Sequence, residues 1–208
     1  MEKPLIIIGA HALGKVALEI FQQHTRIVYG FLDDDPVLQG TSIHHVPVLG
    51  TTSEVYYLDL IGKDCDVFIA VTQHVHRQRL MQTICEKKQL MPVNALHTTT
   101  NIASSAVLGY GNLMHAQVSL GVDSTLGNHG ILHTQAVIEH DAVIQDYVQI
   151  GAGVTVHDRV FVGTGATIVA GVQIGAAARI GAGSVVLADV KPGETVLGNP
   201  AIPIEDSV

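Results

Sequence analysis

The chain has 208 residues, enough to bury a real core as one domain or two small ones. Its formal charge is −8, with only 11 Lys and Arg, which argues against a broad nucleic-acid surface. It is 47% hydrophobic, 14% charged and 4% aromatic, with no Trp and 21 Gly, a composition that suits thin repeated layers rather than an ordinary globule. No apolar run approaches the ~20 residues of a membrane span, although mean hydropathy is +0.35. The first residues, Met1 to Gly14, carry no export pattern, and Cys65 and Cys85 make neither a disulfide framework nor a CxxC pair. The expectation is a cytoplasmic protein without membrane insertion and without a nucleic-acid partner.

Residues 1–97 alternate strand-like and helix-like runs. Leu5 to Ile8 is a short apolar run ending at Gly9, and Lys15 to His24 reads as a helix with Val16, Ile20 and Phe21 inward. Ile27 to Leu32 is a second apolar run, followed by the acidic turn Asp33-Asp34-Asp35-Pro36. Thr51 to Ile61 reads as a helix, Val67 to Val71 as a buried strand, Gln73 to Gln89 as a longer helix and Met91 to Leu96 as a last strand. Strands alternating with helices imply βαβ units and a parallel sheet, a small Rossmann-like domain.

After Thr100 the period becomes six. From Ile102 every sixth residue through Leu108, Met114, Leu120 and on to Val186 is large and aliphatic, 15 positions without an insertion. The residue four further on is small or β-branched in most repeats, as at Ala106, Ser124, Ala142 and Val160. Six matches neither 3.6 nor 3.5 residues per turn, so an amphipathic helix is excluded. Hexads of this kind wind a parallel β-helix, three to a coil of 18 residues, and five coils stacked at about 4.8 Å rise roughly 24 Å. Residues 98–190 therefore form a β-helix domain, left-handed by resemblance to other hexad prisms. Residues 191–208, with Pro192, Pro200 and Pro203, form a C-terminal capping tail.

The period of 18 stacks His115 under His133, Asp123 under Asp141, Glu139 under His157, His140 under Asp158 and Asp141 under Arg159. A zinc site like that of β-helical carbonic anhydrases needs a His two coils above His115, where Gly151 stands, so no metal is expected.

Three segments together carry a family resemblance: Gly9-Ala10-His11-Ala12-Leu13-Gly14-Lys15, then Phe31-Leu32-Asp33-Asp34-Asp35-Pro36, then Leu132-His133-Thr134-Gln135-Ala136-Val137-Ile138-Glu139-His140-Asp141. In this order the chain resembles, over nearly its whole length, the PglD/NeuD-type bacterial sugar O-/N-acyltransferases. The resemblance implies an acetyl-CoA-dependent N-acetyltransferase acting on a nucleotide-linked 4-amino sugar in glycan or polysaccharide biosynthesis. A sugar or sialic-acid O-acetyltransferase, or a non-catalytic nucleotide-sugar-binding trimer scaffold, are the alternatives. It makes His140 the general base and Asp141 the carboxylate that orients it and raises its basicity. It assigns Gly9, Ala12, Leu13, Gly14, Asp33, Asp34 and Gly50 to the nucleotide sugar and Gln149 and Asp158 to acetyl-CoA. It also implies a homotrimer. The chain departs from the family at its glycine loop, where Gly9-Ala10-His11-Ala12-Leu13-Gly14 replaces G-x-x-G-H-G. It departs again at His133, where Asn is usual, at Gln149, where a second His is usual, and at Asp158, where Gly is common. The other histidines His44, His45, His74 and His76 read as surface polar groups.

Overall fold

The computed structural model describes residues 2–204. It divides into two compact units, Met1–Ala95 and Leu96–Val208, the break falling inside the short strand Ala95–Leu96.

The first unit is built on a five-stranded sheet. In chain order its elements are β1 (Leu5–Ile8), α1 (Ala12–Gln23), β2 (Val28–Leu32), β3 (Ser42–Ile43), β4 (Val46–Gly50), α2 (Val55–Leu60), β5 (Asp66–Ile69) and α3 (His74–Leu80). The strand order is β3-β4-β2-β1-β5; all neighbours are parallel except the β3–β4 hairpin. All four residues of β1 are fully buried, because a central parallel strand is covered on both faces. Ile6 and Ile8 pack with Ile61, Leu80, Met81 and Ile84, whereas Phe68 meets Phe21 of α1 edge to face at 5.6 Å. Cys65 and Cys85 are free and buried in this unit. Burial pushes the Cys85 thiol up to about 12, far from a reactive thiolate.

Several elements differ from their sequence-based bounds. α1 starts at Ala12, so Leu13, Gly14, Ala17 and Leu18 are buried with Ile20 and Phe21, while Val16 is half-buried. Gly14 explains the early start: a Cβ there would stand 2.0 Å from the Gly9 carbonyl oxygen, so only glycine lets the helix begin so close to β1. The helix expected over 73–89 is regular only to Leu80 and continues as a π turn, Met81–Cys85, and a 3-10 turn, Glu86–Lys88. Of the strand expected over 91–96, only Ala95–Leu96 is formed. The β3–β4 hairpin has no counterpart in the sequence reading. Its turn is His44–His45, both with positive φ (45° and 71°), where hairpin signals rest on Gly, Asn or Asp.

The second unit is a left-handed parallel β-helix of two-residue strands. They stack into three sheets whose register advances by 18 residues, as in Val137↔Thr155 and Ile138↔Val156. The sixth-position aliphatics from Met114 to Ile180 line the interior almost without solvent contact. Corners recur every six residues, and from Gly111 to Gly183 each carries a left-handed residue with φ between 55° and 79°. Eight of these are not glycine, among them Asp141, Tyr147 and Arg159. The strain of each, of order 1 kcal/mol, is met by a bond from its backbone N–H to the coil below, as from Asp141 to the Val122 carbonyl. In the tail, Thr195–Gly198 adds a parallel strand beside Arg179–Ile180, and Ala201–Pro203 folds back antiparallel on it. Residues 205–208 of the expected tail lie outside the described residues.

Candidate functional site

The first unit presents a crevice where its strand order reverses. The chain runs outward from β1 to β2 and β4, then returns to place β5 on the other side of β1, and ligands of open α/β sheets bind at the carboxyl ends of such strands. A cavity of about 430 Å³ lies there, lined by Gly9, His11, Ala12 and Leu13 after β1, Asp33, Asp34 and Asp35 after β2, and Val71, Thr72 and Gln73 after β5. Gly9 has φ 101°, and a Cβ on it would stand 2.6 Å from the Ala70 carbonyl oxygen. The first turn of α1 opens into the crevice, where unpaired helix N–H groups favour an anion.

The acidic turn divides its labour. Asp33 is buried, and its carboxylate accepts hydrogen bonds from the Ala10 N–H (2.7 Å) and the Asp35 N–H (2.9 Å), clamping the loop after β1 to the end of β2. Asp34 is exposed and accepts from the Thr52 N–H (2.8 Å) and the Thr52 hydroxyl. His11 Nε2 lies 3.5 Å from Asp35 and 3.9 Å from Asp33. Two of the sequence-assigned residues do not line the cavity. Gly14 is buried under the loop, and Gly50 accepts the Asp33 N–H through its carbonyl (3.0 Å), acting through Asp33.

The sequence pattern does not single out Thr52, Thr72, Gln73 or Arg77; His76, expected as a surface polar group, is exposed and borders the cavity. Arg77 is 1% exposed and donates to the Val71 (2.5 Å) and Thr72 (2.9 Å) carbonyl oxygens, pinning the wall opposite the glycine loop. A second cavity of about 430 Å³ shares Asp34, Thr52, His76 and Leu80 with the first and adds Ser53, Arg79 and Thr83.

In the β-helix, the stacked polar residues separate into two groups on different faces. The first follows the six-stranded sheet. His115 and His133 stack at 4.9 Å between ring centroids, and His133 Nε2 lies 3.1 Å from Gln149 Nε2. His115 Nε2 is buried without a partner among the described residues, and desolvation, helped by His133 and His97, lowers its pKa to about 4. Burial lowers His133 as well.

The second group follows another sheet of the β-helix, the five-stranded one that contains Val137–Ile138 and Thr155–Val156. Successive side chains of an extended chain point to opposite sides, but the left-handed turn at Asp141 (φ 58°) brings its carboxylate to 2.9 Å from His140 Nδ1. That hydrogen bond, with the charges of Asp141 and Asp158, raises the His140 pKa; Arg159 opposes it. Both side chains are about half exposed, and Nε2 of His140 has no partner among the described residues. One coil up, His157 Nδ1 lies 3.3 Å from Glu139 and Arg159 Nη1 lies 2.5 Å from Asp158. Among the described residues no three His, Cys, Asp or Glu converge to hold a metal, and no helix is long and apolar enough to cross a membrane.

An imidazole held by a carboxylate at one nitrogen and open at the other can accept a proton from an incoming nucleophile. Residues 4–84 match the family model described as the PglD N-terminal domain. The whole chain is similar to WeeI from Acinetobacter baumannii AYE, at 30% identity over 97% of this chain and 99% of that one, with a TM-score of 0.63. The chain belongs to the PglD/NeuD-type sugar acyltransferases. It is also similar to the acetyltransferase domain of PglB from Neisseria gonorrhoeae FA1090 in complex with acetyl coenzyme A (27% identity, 98% of this chain, 100% of that chain, TM-score 0.72). A further likeness is to PerB from Caulobacter crescentus in complex with CoA and GDP-perosamine (29%, 97% of each chain, TM-score 0.62). No curated protein matches the chain by sequence. This PglD/NeuD-type chain is thus an acyltransferase.

Proposed function

We propose that the protein transfers the acetyl group of acetyl-CoA directly to the amino group of a nucleotide-linked 4-amino sugar, with His140 as general base. The observation that carries this reading is the His140–Asp141 pair, whose geometry leaves one ring nitrogen free and fixes the other. The amine attacks the thioester carbonyl while His140 Nε2 takes its proton, and Asp141 stabilises the imidazolium so formed. Collapse of the tetrahedral intermediate expels the coenzyme thiolate, which the imidazolium can reprotonate, so no covalent enzyme intermediate is needed.

The N-terminal unit takes the nucleotide: helix N–H groups of Ala12 and Leu13 face its phosphates beside Gly9, and Asp34 is the carboxylate available to ribose or base, while Asp33, Gly14 and Gly50 hold the loop in shape. Similarity to proteins solved with CoA, acetyl coenzyme A or GDP-perosamine supports both substrates. Gln149 and Asp158 remain the positions assigned to acetyl-CoA, with coenzyme bound along the prism of a homotrimer in the cytoplasm.

The test is thiol release from acetyl-CoA against a panel of nucleotide-linked 4-amino sugars. One acceptor should support turnover, and His140→Ala should lower kcat by about 10²–10⁴-fold. Undiminished turnover in that variant would remove His140 as the base. Nucleotide-sugar binding by a trimer without any turnover would favour a scaffold.

A further inference from the structure

The corner that holds His140 is followed, 18 residues later, by a corner with the opposite charge order. The register Val137↔Thr155 and Ile138↔Val156 sets Asp158 above His140 and Arg159 above Asp141. The Arg159 N–H donates to the His140 carbonyl at 3.1 Å and ties the two corners together. Within the lower corner His140 Nδ1 meets Asp141 at 2.9 Å; within the upper one Arg159 Nη1 meets Asp158 at 2.5 Å. Charges therefore alternate around a square when His140 is protonated, opposite along every side and alike across each diagonal.

The bland account is a solvated surface network, worth little to anything. Burial argues against it for one member: the Asp158 side chain is only 18% exposed, against 60% for Arg159, so its charge is screened less by solvent. The nearby Glu139 is engaged by His157, and Asp123 lies below Asp141, one coil further from the ring. We propose that Asp158 and Arg159 are opposed positioning residues for the base: the Asp158 carboxylate favours the imidazolium formed when His140 takes its proton, and Arg159 restrains that carboxylate. The directions of the charge effects on His140, upward from Asp158 and downward from Arg159, agree with this arrangement. The catalytic half of the inference rests on His140 being the base.

The test uses the full chain with labelled histidine. The titration of the His140 ring is followed by NMR, beside the pH dependence of acetyl transfer. Asp158→Asn should move the His140 midpoint down and Arg159→Gln should move it up, each by about half a pH unit for charges one coil apart in water-like surroundings. The double variant should return close to the parent, and Arg159→Lys, which keeps the charge, should leave the midpoint in place. Read at saturating acetyl-CoA, because Asp158 is also a position assigned to the coenzyme, the rising limb of the kcat profile should follow the NMR midpoint in each variant, with the acceptor KM unchanged. Shifts of the same sign, or none in variants whose circular dichroism is unaltered, overturn the proposal. Opposed NMR shifts with an unmoved rate limb overturn His140 as the base and the catalytic role with it.

Discussion

Replacing Asp33 tests whether the loop after β1 is held by one buried carboxylate. The side chain accepts from the Ala10 N–H, which is buried, and from the Asp35 N–H, which is partly so. Hydrogen bonds to a charged group are worth about 1.5–3 kcal/mol each, and a buried donor left unpaired adds its own desolvation cost. Discounting the partly exposed bond, Asp33→Ala should weaken the loop by about 3 kcal/mol, equivalent to roughly 100-fold faster opening. Amide exchange at Ala10 reads this directly and should accelerate by that factor, while amides inside the β-helix keep their protection. Asp33→Asn retains one acceptor but turns its amide N–H₂ toward the other donor, so about half the loss is expected. Under the proposed function, the same variants should raise the KM for the nucleotide sugar more than they lower kcat, because the loop shapes the crevice proposed for the nucleotide. Unchanged exchange at Ala10 in Asp33→Ala would refute the clamp, whatever happened to activity.

Two further outcomes follow from buried polar groups. The His115 pKa is depressed from 6.5 to about 4, so below pH 6.5 the unfolded chain binds a proton that the folded chain refuses. Stability should be full above pH 6.5 and fall progressively toward pH 4, and His115→Leu should flatten that part of a urea-midpoint profile; an unchanged slope would mean the ring is solvated. Arg77→Met keeps bulk but leaves the Val71 and Thr72 carbonyls without their donor, at about 1–3 kcal/mol apiece. Nucleotide-sugar affinity should fall at least about tenfold in a calorimetric titration, and wild-type affinity in a folded variant would show that the wall needs no pin.

The crevice and the His140 corner differ in how far they can be read ahead of the structure. His140 and Asp141 are sequence neighbours at a corner whose position the hexad count supplies, so their meeting needs no long-range knowledge. Thr52 meets Asp34 from a loop 18 residues away that belongs to no repeat, and Arg77 reaches back from α3 to a loop five and six residues earlier. The contact of His133 with Gln149 spans 16 residues rather than 18 because it crosses from one column to the next, which the period alone does not encode.

By itself the sequence determined the β-helix, because every sixth side chain must fill a dry interior while strands 18 residues apart supply each other's hydrogen bonds. It also determined that βαβ units precede it, because apolar strand-like runs such as Leu5–Ile8 alternate with helix-like runs, and helices that cross between strands leave the sheet parallel and covered on both faces. Tertiary structure alone decided the β3–β4 hairpin through a His44–His45 turn and the clamp that Asp33 places on Ala10. Those depend on backbone dihedrals at non-glycine turns and on packing between elements, which no local pattern of apolar and polar residues specifies.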